Sequence, residues 1–114
     1  MERILEQTLL YDFYGELLTD HQKQIYQDVV FNDYSYSEVA EIQGISRQGV
    51  HDLIRRCDKI LTGYEQKLHL VERFMKMKAM AEQMNQLTKT YIRTRQEALL
   101  SEMEEVSEQI LKQV

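Results

Sequence analysis

Apolar side chains recur every three or four residues along almost the whole chain, the spacing of a helix face rather than a strand. Residues 3–18 carry Ile4, Leu5, Leu9, Leu10, Phe13, Tyr14, Leu17 and Leu18 at that spacing and predict an amphipathic N-terminal helix with one buried face. Thr19 followed three residues later by Gln22 is a capping box, which opens a second helix with Ile25, Tyr26, Val29 and Val30 turned inward. Asn32-Asp33 breaks it. A second capping box, Ser35 with Glu38, opens a short helix whose inner side is Val39, Ala40 and Ile42. Gly44 stands where that helix must stop, because a residue without Cβ enters the left-handed conformation cheaply. Ile45 then packs between two helices, and Ser46 caps the next one, which begins Arg47-Gln48-Gly49-Val50-His51.

Residues 34–56 therefore read as a helix-turn-helix, with its core spanning about residues 35–61. Plain αα-corners share the two caps and the glycine. The small Ala40, the Gly44-Ile45-Ser46 turn and the apolar Val50 and Ile54 together favour the helix-turn-helix. In that motif the exposed start of the second helix meets base edges in the major groove. Gly49 either lets a duplex approach closely or relieves crowding within the turn.

Beyond the motif, Ile54, Cys57, Leu61, Tyr64, Leu68, Val71 and Met75 step by alternating threes and fours, a narrow a/d seam. Gly63 within it marks a kink or a stop, since glycine costs about 1 kcal/mol inside a helix. The seam resumes as Met80, Met84, Leu87, Tyr91, and again as Leu99, Met103, Val106, Ile110. Such a seam needs a partner helix, either residues 3–18 or a second copy of the chain. A single helix of this length would reach roughly 75 Å, so either a fold-back near residues 80–96 or a homodimer is expected. Met75, Met77, Met80 and Met84 fill core or interface gaps, as flexible thioethers do. The expected organisation is a helical domain over residues 1–72 and a C-terminal helical extension over 73–114 for dimerisation or partner docking. The fold class is all-α and free of any wing.

Composition sharpens this picture without changing it. The 114 residues include no proline and four glycines, in keeping with helices and few sharp breaks. Cys57 is the one cysteine, so no internal disulfide forms. A structural thiol in a reducing cytoplasm is expected. No stretch approaches the roughly 20 apolar residues of a membrane span, and no secretory signal follows the N-terminus. A cytoplasmic protein without direct membrane insertion is the expectation.

Net charge is −5, unfavourable for a nucleic-acid ligand, but the charge is unevenly placed. Residues 1–64 carry −5, residues 65–95 carry +4 and residues 96–114 carry −4. Arg47, Arg55, Arg56 and Lys59 form a local basic group on the second helix of the motif. His21, His51 and His69 lie apart from one another and from any metal-ligand spacing. Neither a glycine-rich phosphate loop nor a nucleophile elbow occurs. No catalytic residue, metal or cofactor is expected, and the chain reads as a non-enzyme.

Residues 19–61 resemble region 4 of bacterial sigma factors. A closer resemblance, over about the first 70 residues, is to the YlxM family of helix-turn-helix proteins. It is carried by Asp12-Phe13-Tyr14-Gly15-Glu16-Leu17-Leu18-Thr19, Asp33-Tyr34-Ser35, Ser46-Arg47-Gln48 and Tyr64-Glu65-Gln66-Lys67-Leu68. The resemblance implies a small cytoplasmic bacterial protein, associated through its gene neighbourhood with the signal recognition particle. It implies a regulatory or accessory role in co-translational targeting, and no catalysis. His51, Leu53 and Asp58 depart from the basic recognition helix of sigma region 4, and an aspartate facing the groove would repel phosphate.

Two functions follow as expectations. In the first, the protein is a nucleic-acid-binding regulator of DNA or of the particle RNA. Arg47, Gln48 and His51 would address bases, Ser46 a phosphate, and Arg55, Arg56 and Lys59 the flanking backbone. In the second, the motif is a scaffold, and the helical seam docks a targeting-pathway protein or another copy of the chain.

Overall fold

The computed structural model describes residues 2–114 and contains six α-helices, with no β-strand, among them. They are α1 (Arg3–Tyr14), α2 (Asp20–Tyr26), α3 (Tyr36–Gln43), α4 (Arg47–Leu68), α5 (Leu70–Thr94) and α6 (Ala98–Gln113). A 3-10 turn (Gly15–Leu17) follows α1, and a π-helical turn (Gln27–Phe31) follows α2. Both capping boxes form in full. Thr19 Oγ1 accepts from the Gln22 amide while Gln22 accepts from the Thr19 amide, and Ser35 and Glu38 do the same. The all-α helix-turn-helix architecture expected from the periodicity is the one observed.

The chain divides into two compact units, the first ending at Val71 and the second being Glu72–Val114. In the first unit α1, α2 and α3 all pack on α4. Val50, Ile54, Cys57 and Leu61, one stripe of α4, are buried together with Leu10, Tyr14, Leu18, Ile25, Tyr26, Val39 and Ala40. Aromatic rings close one side: Tyr11 stacks on Tyr26 at 5.5 Å, and Phe31 meets Tyr11 edge-on at 5.2 Å.

Asp58 ties three helices together. It accepts the Tyr26 hydroxyl at 2.7 Å and the Gln7 side-chain amide at 3.2 Å, and Arg3 approaches it at 3.4 Å. Tyr26 is fully buried. Desolvation and this carboxylate acceptor push its phenol far above the ordinary range, so it stays a neutral donor. Asp58 faces α1 and α2 rather than a groove, because it lies beside the buried stripe of α4. The expected repulsion of phosphate by Asp58 is thus corrected.

Several apolar expectations are also corrected. Ile42 is 63% exposed and Ile45 37% exposed, against the core positions that their type and spacing predict. Along α1 and the 3-10 turn after it, Leu10, Tyr14 and Leu18 are buried, while Ile4, Leu5, Phe13 and Leu17 are exposed. α4 runs through Gly63 without a stop. It ends instead at His69, which takes the left-handed conformation at φ 56°. The long seam therefore breaks there, leaving Leu68 exposed and returning Val71 to the core. A hydrogen-bonded knot holds this joint. The Tyr14 hydroxyl donates to Glu65 Oε1 at 2.5 Å, the Leu70 amide donates to Tyr14, and the Val71 amide donates to the same Glu65 oxygen.

Within the second unit, α5 and α6 are joined by residues 95–97, with Arg95 left-handed at φ 56°. The shielded sides are Met80, Met84, Leu87 and Tyr91 on α5 and Leu99, Met103, Val106 and Ile110 on α6. Val106 is buried and the others are half-buried.

Removing the shared acceptor strands the Tyr26 hydroxyl. Asp58→Ala should therefore lower stability by about 2 kcal/mol in urea unfolding followed by circular dichroism. A change below about 0.5 kcal/mol would show that the hub contributes nothing net. Burial pushes the Cys57 thiol up to about 11, so at pH 8 a disulfide reagent such as DTNB should leave it intact in native protein. The same reagent should react at once in denaturant.

Candidate nucleic-acid interface

The motif is built by two termination devices in succession. Gly44 takes φ 67° and ψ 32°, and the Ile45 amide donates back to the Ala40 carbonyl at 3.1 Å, closing α3 in a Schellman-type end. Ser46 is extended, and its hydroxyl accepts the Gly49 amide at 2.9 Å, starting α4 in a new direction. A Cβ at Gly49 would lie 3.1 Å from that hydroxyl oxygen. Gly49 accordingly relieves crowding at the cap, the second of the two roles open from sequence.

Beyond this turn Arg47 and Gln48 are exposed and His51 is half-buried. With Tyr36, the first residue of α3, they line an open hollow of about 460 Å³. The Tyr36 ring meets the His51 ring edge-on at 5.3 Å, which fixes the imidazole against the start of α3. Sequence reasoning missed Tyr36. The signal was available, because the residue after an N-cap in the first motif helix stands next to the start of the second.

Arg55, Arg56 and Lys59 are exposed along the next turns of α4. At 1.5 Å per residue Arg47 and Lys59 are separated by roughly 18 Å along the axis, which exceeds the roughly 12 Å width of a major groove. Among the described residues, Arg47, Arg55, Arg56 and Lys59 form no ion pair, so their charge is not spent internally. The structure brings Ser46, Arg47, Gln48 and His51 together at the tip and sets the three remaining cations behind them on the same helix.

One acid does stand on this surface. Asp52 accepts from the Gln48 side-chain amide at 2.9 Å, one helical turn away. A bidentate contact of Gln48 with adenine requires that amide to leave Asp52. Nearby Glu38 has its carboxyl held below the usual range, first by the Ser35 backbone amide of the capping box. No cluster of three His, Cys, Asp or Glu suited to a metal occurs among the described residues, and no helix there is long and apolar enough to cross a membrane.

The family model described as "Putative helix-turn-helix protein, YlxM / p13 like", UPF0122, matches residues 1–110. The chain is 53% identical over 70 residues to UPF0122 protein TTE1463 of Caldanaerobacter subterraneus subsp. tengcongensis, covering 61% of this chain and 60% of that relative. Identity to a UPF0122 protein of Acetivibrio thermocellus is 47% over 78 residues, 68% of this chain and 67% of the relative. A UPF0122 protein of Clostridium botulinum is 43% identical over 76 residues, 67% and 70% of the two chains. The match to the first of these relatives thus spans less than two thirds of that relative's length.

The left-handed glycine makes a defined demand on the turn. Gly44→Ala should cost about 1–2 kcal/mol, read by thermal unfolding, since nothing lies within 4 Å of the added methyl and only the backbone conformation is strained. Gly44→Asn should cost less, because asparagine tolerates this region; equal losses for the two would place the strain elsewhere.

Proposed function

This chain belongs to the UPF0122 family, and from that premise we propose that it is a regulatory protein that binds nucleic acid through the start of α4. The observation that carries this reading is the exposed Arg47-Gln48 tip, capped by Ser46 and backed by cations that form no ion pair among the described residues. Arg47 reads guanine or an equivalent acceptor pair, and Gln48 reads adenine once released from Asp52. His51 supplies a further base contact, Ser46 lies beside a phosphate, and Arg55, Arg56 and Lys59 neutralise the flanking backbone. The protein acts in the cytoplasm as a non-enzyme.

Its setting is the signal recognition particle and co-translational targeting, a reading supported by the resemblance carried by the residue 12–19 and 46–48 motifs. The ligand is then DNA or the particle RNA, and particle proteins are partners. The chain acts as a homodimer, supported by half-buried stripes on α5 and α6 that two helices do not cover fully. A second reading has its own support. Ile4 and Leu5 on α1 and Leu17 in the turn after it leave apolar surface exposed, as a surface that docks a targeting-pathway protein would.

Mobility shifts of the full chain with duplex DNA and with the particle RNA, at several salt concentrations, separate these readings. Arg47→Ala should weaken the preferred ligand about tenfold while sparing others. Arg55→Glu should weaken all ligands together and lower the log–log salt slope by about one. Unchanged binding in both variants would overturn the assignment of this surface. Binding of neither nucleic acid, beside a stable complex with a particle protein, would establish the docking reading instead.

A further inference from the structure

A second hollow opens in the first unit, between α1 and the π-helical turn that follows α2. Its volume is about 320 Å³, and Thr8, Tyr11, Asp12, Gln27, Phe31 and Asn32 line it. Packing from several sides sets its aromatic wall. Tyr11 lies nearly parallel to Tyr26, with 8° between the ring planes, and Phe31 meets it edge-on. Gly15 lets the Tyr11 ring sit close to the backbone, since a Cβ there would lie 3.0 Å from two ring atoms. Phe31 itself is 37% exposed. The Asn32 amide closes the π-helical turn by donating to the Gln27 carbonyl at 3.0 Å. In an α-helix Asn32 would stand about 140° round from Gln27. The wider turn brings both to the rim of the hollow, and such turns recur at functional sites.

The polar rim has committed its donors inward. The Thr8 hydroxyl donates to the Ile4 carbonyl, the Gln27 side-chain amide to the Tyr11 hydroxyl, and the Asn32 side-chain amide to Asp28. Each of the three keeps its own oxygen uncommitted, and Asp12 is in no hydrogen bond or ion pair among the described residues. Charge points the same way. Residues 1–33 carry seven acids and two cations, so this segment alone holds −5, as much as the whole chain. Both cations are already engaged, Arg3 by Asp58 at 3.4 Å and Lys23 by Glu16 at 2.9 Å.

We propose that this hollow receives an arginine side chain from a basic segment of a partner protein. A guanidinium is planar and stacks on an aromatic ring, it carries five donors for a rim of acceptors, and it is more weakly hydrated than an ammonium. The phosphates of a nucleic acid or a lipid surface would instead meet the like charge of Asp12 and its segment. Ile4 and Leu5, each 48% exposed, precede Thr8, Tyr11 and Asp12 by helical spacing and share their face of α1. Apolar residues flanking the arginine would lie along that face. The site shares no residue with the tip of α4, so it is independent of the nucleic-acid reading and gives the docking reading a chemistry.

Titration of the isotope-labelled full chain by NMR tests this, using end-capped tripeptides with leucine on either side of arginine, lysine or neutral citrulline. The arginine peptide should shift the amides of Tyr11, Asp12, Gln27, Phe31 and Asn32 saturably, with a dissociation constant of about 1 mM. The lysine peptide should bind about threefold more weakly, and citrulline should give no saturable shift. Asp12→Asn and Phe31→Ala should each weaken the arginine peptide about threefold, with circular dichroism confirming retained helix content. Glu41→Gln, the same charge change on α3, should leave its affinity unaltered. Equal losses from Asp12→Asn and Glu41→Gln, or equal binding of the three peptides, would overturn the site. No saturable shift at about 20 mM peptide would overturn it as well. The docking reading would then rest on the complex with a particle protein alone. Sedimentation of the free chain identifies the source of the arginine: a dimer dissolved by the peptide would overturn a separate partner in favour of a second copy.

Discussion

Helix α4 meets two demands with one cylinder, and the rest of the structure follows from how they are divided around its circumference. Val50, Ile54, Cys57 and Leu61 fall within one narrow arc, and three other helices pack against it. An α-helix side chain can serve the core or the solvent but not both, so the opposite arc is released for Gln48, Arg55, Arg56 and Lys59. Burial of the first arc is what makes the second rigid. Burying side chains of this size yields roughly 1.5–3 kcal/mol each before entropy is counted, so α4 is held along much of its length. Its tip is thereby presented on a fixed support rather than on a mobile loop.

Polar groups refine this division. Asp58 lies close to the edge of the buried arc, where its charge is answered by the Tyr26 hydroxyl and the Gln7 amide. That arrangement withdraws a negative charge from the outward surface and fixes the mutual rotation of α1, α2 and α4. Asp52, by contrast, remains outside and holds Gln48. The net charge of −5 is therefore a poor guide to the field at the tip. Charges beyond a Debye length, about 8 Å at physiological ionic strength, are largely screened, so Arg47, Arg55, Arg56 and Lys59, in no ion pair among the described residues, weigh most in the field around them.

Much of the fold was legible because its signals are local. Both capping boxes, the left-handed Gly44 and the Ser46 cap depend on residues within four positions of one another, and all formed as read. The buried stripe of α4 was equally visible in its periodicity. The failures share one cause. Ile42 and Ile45 look like core residues by type, but the short α3 has room to bury little more than Val39 and Ala40 against α4. The seam from Ile54 to Met75 looked continuous, yet His69 turns the backbone left-handed and interrupts it. Histidine carries no strong breaking signal of its own, and there the knot of Tyr14, Glu65, Leu70 and Val71, made across some fifty residues, holds the turn.

The sequence by itself determined the helical class, the positions of the caps and the residues that form the tip, since each follows from spacing and the conformational preference of single residues. Tertiary structure alone decided which way the ambiguous side chains point: Asp58 inward to the Tyr26 hydroxyl, Tyr36 against His51. Those outcomes depend on which helices come to lie beside α4 and at what rotation. A one-dimensional pattern holds the angle of each residue around its own axis but not the angle between axes, and it is the latter that assigns a polar group its partner.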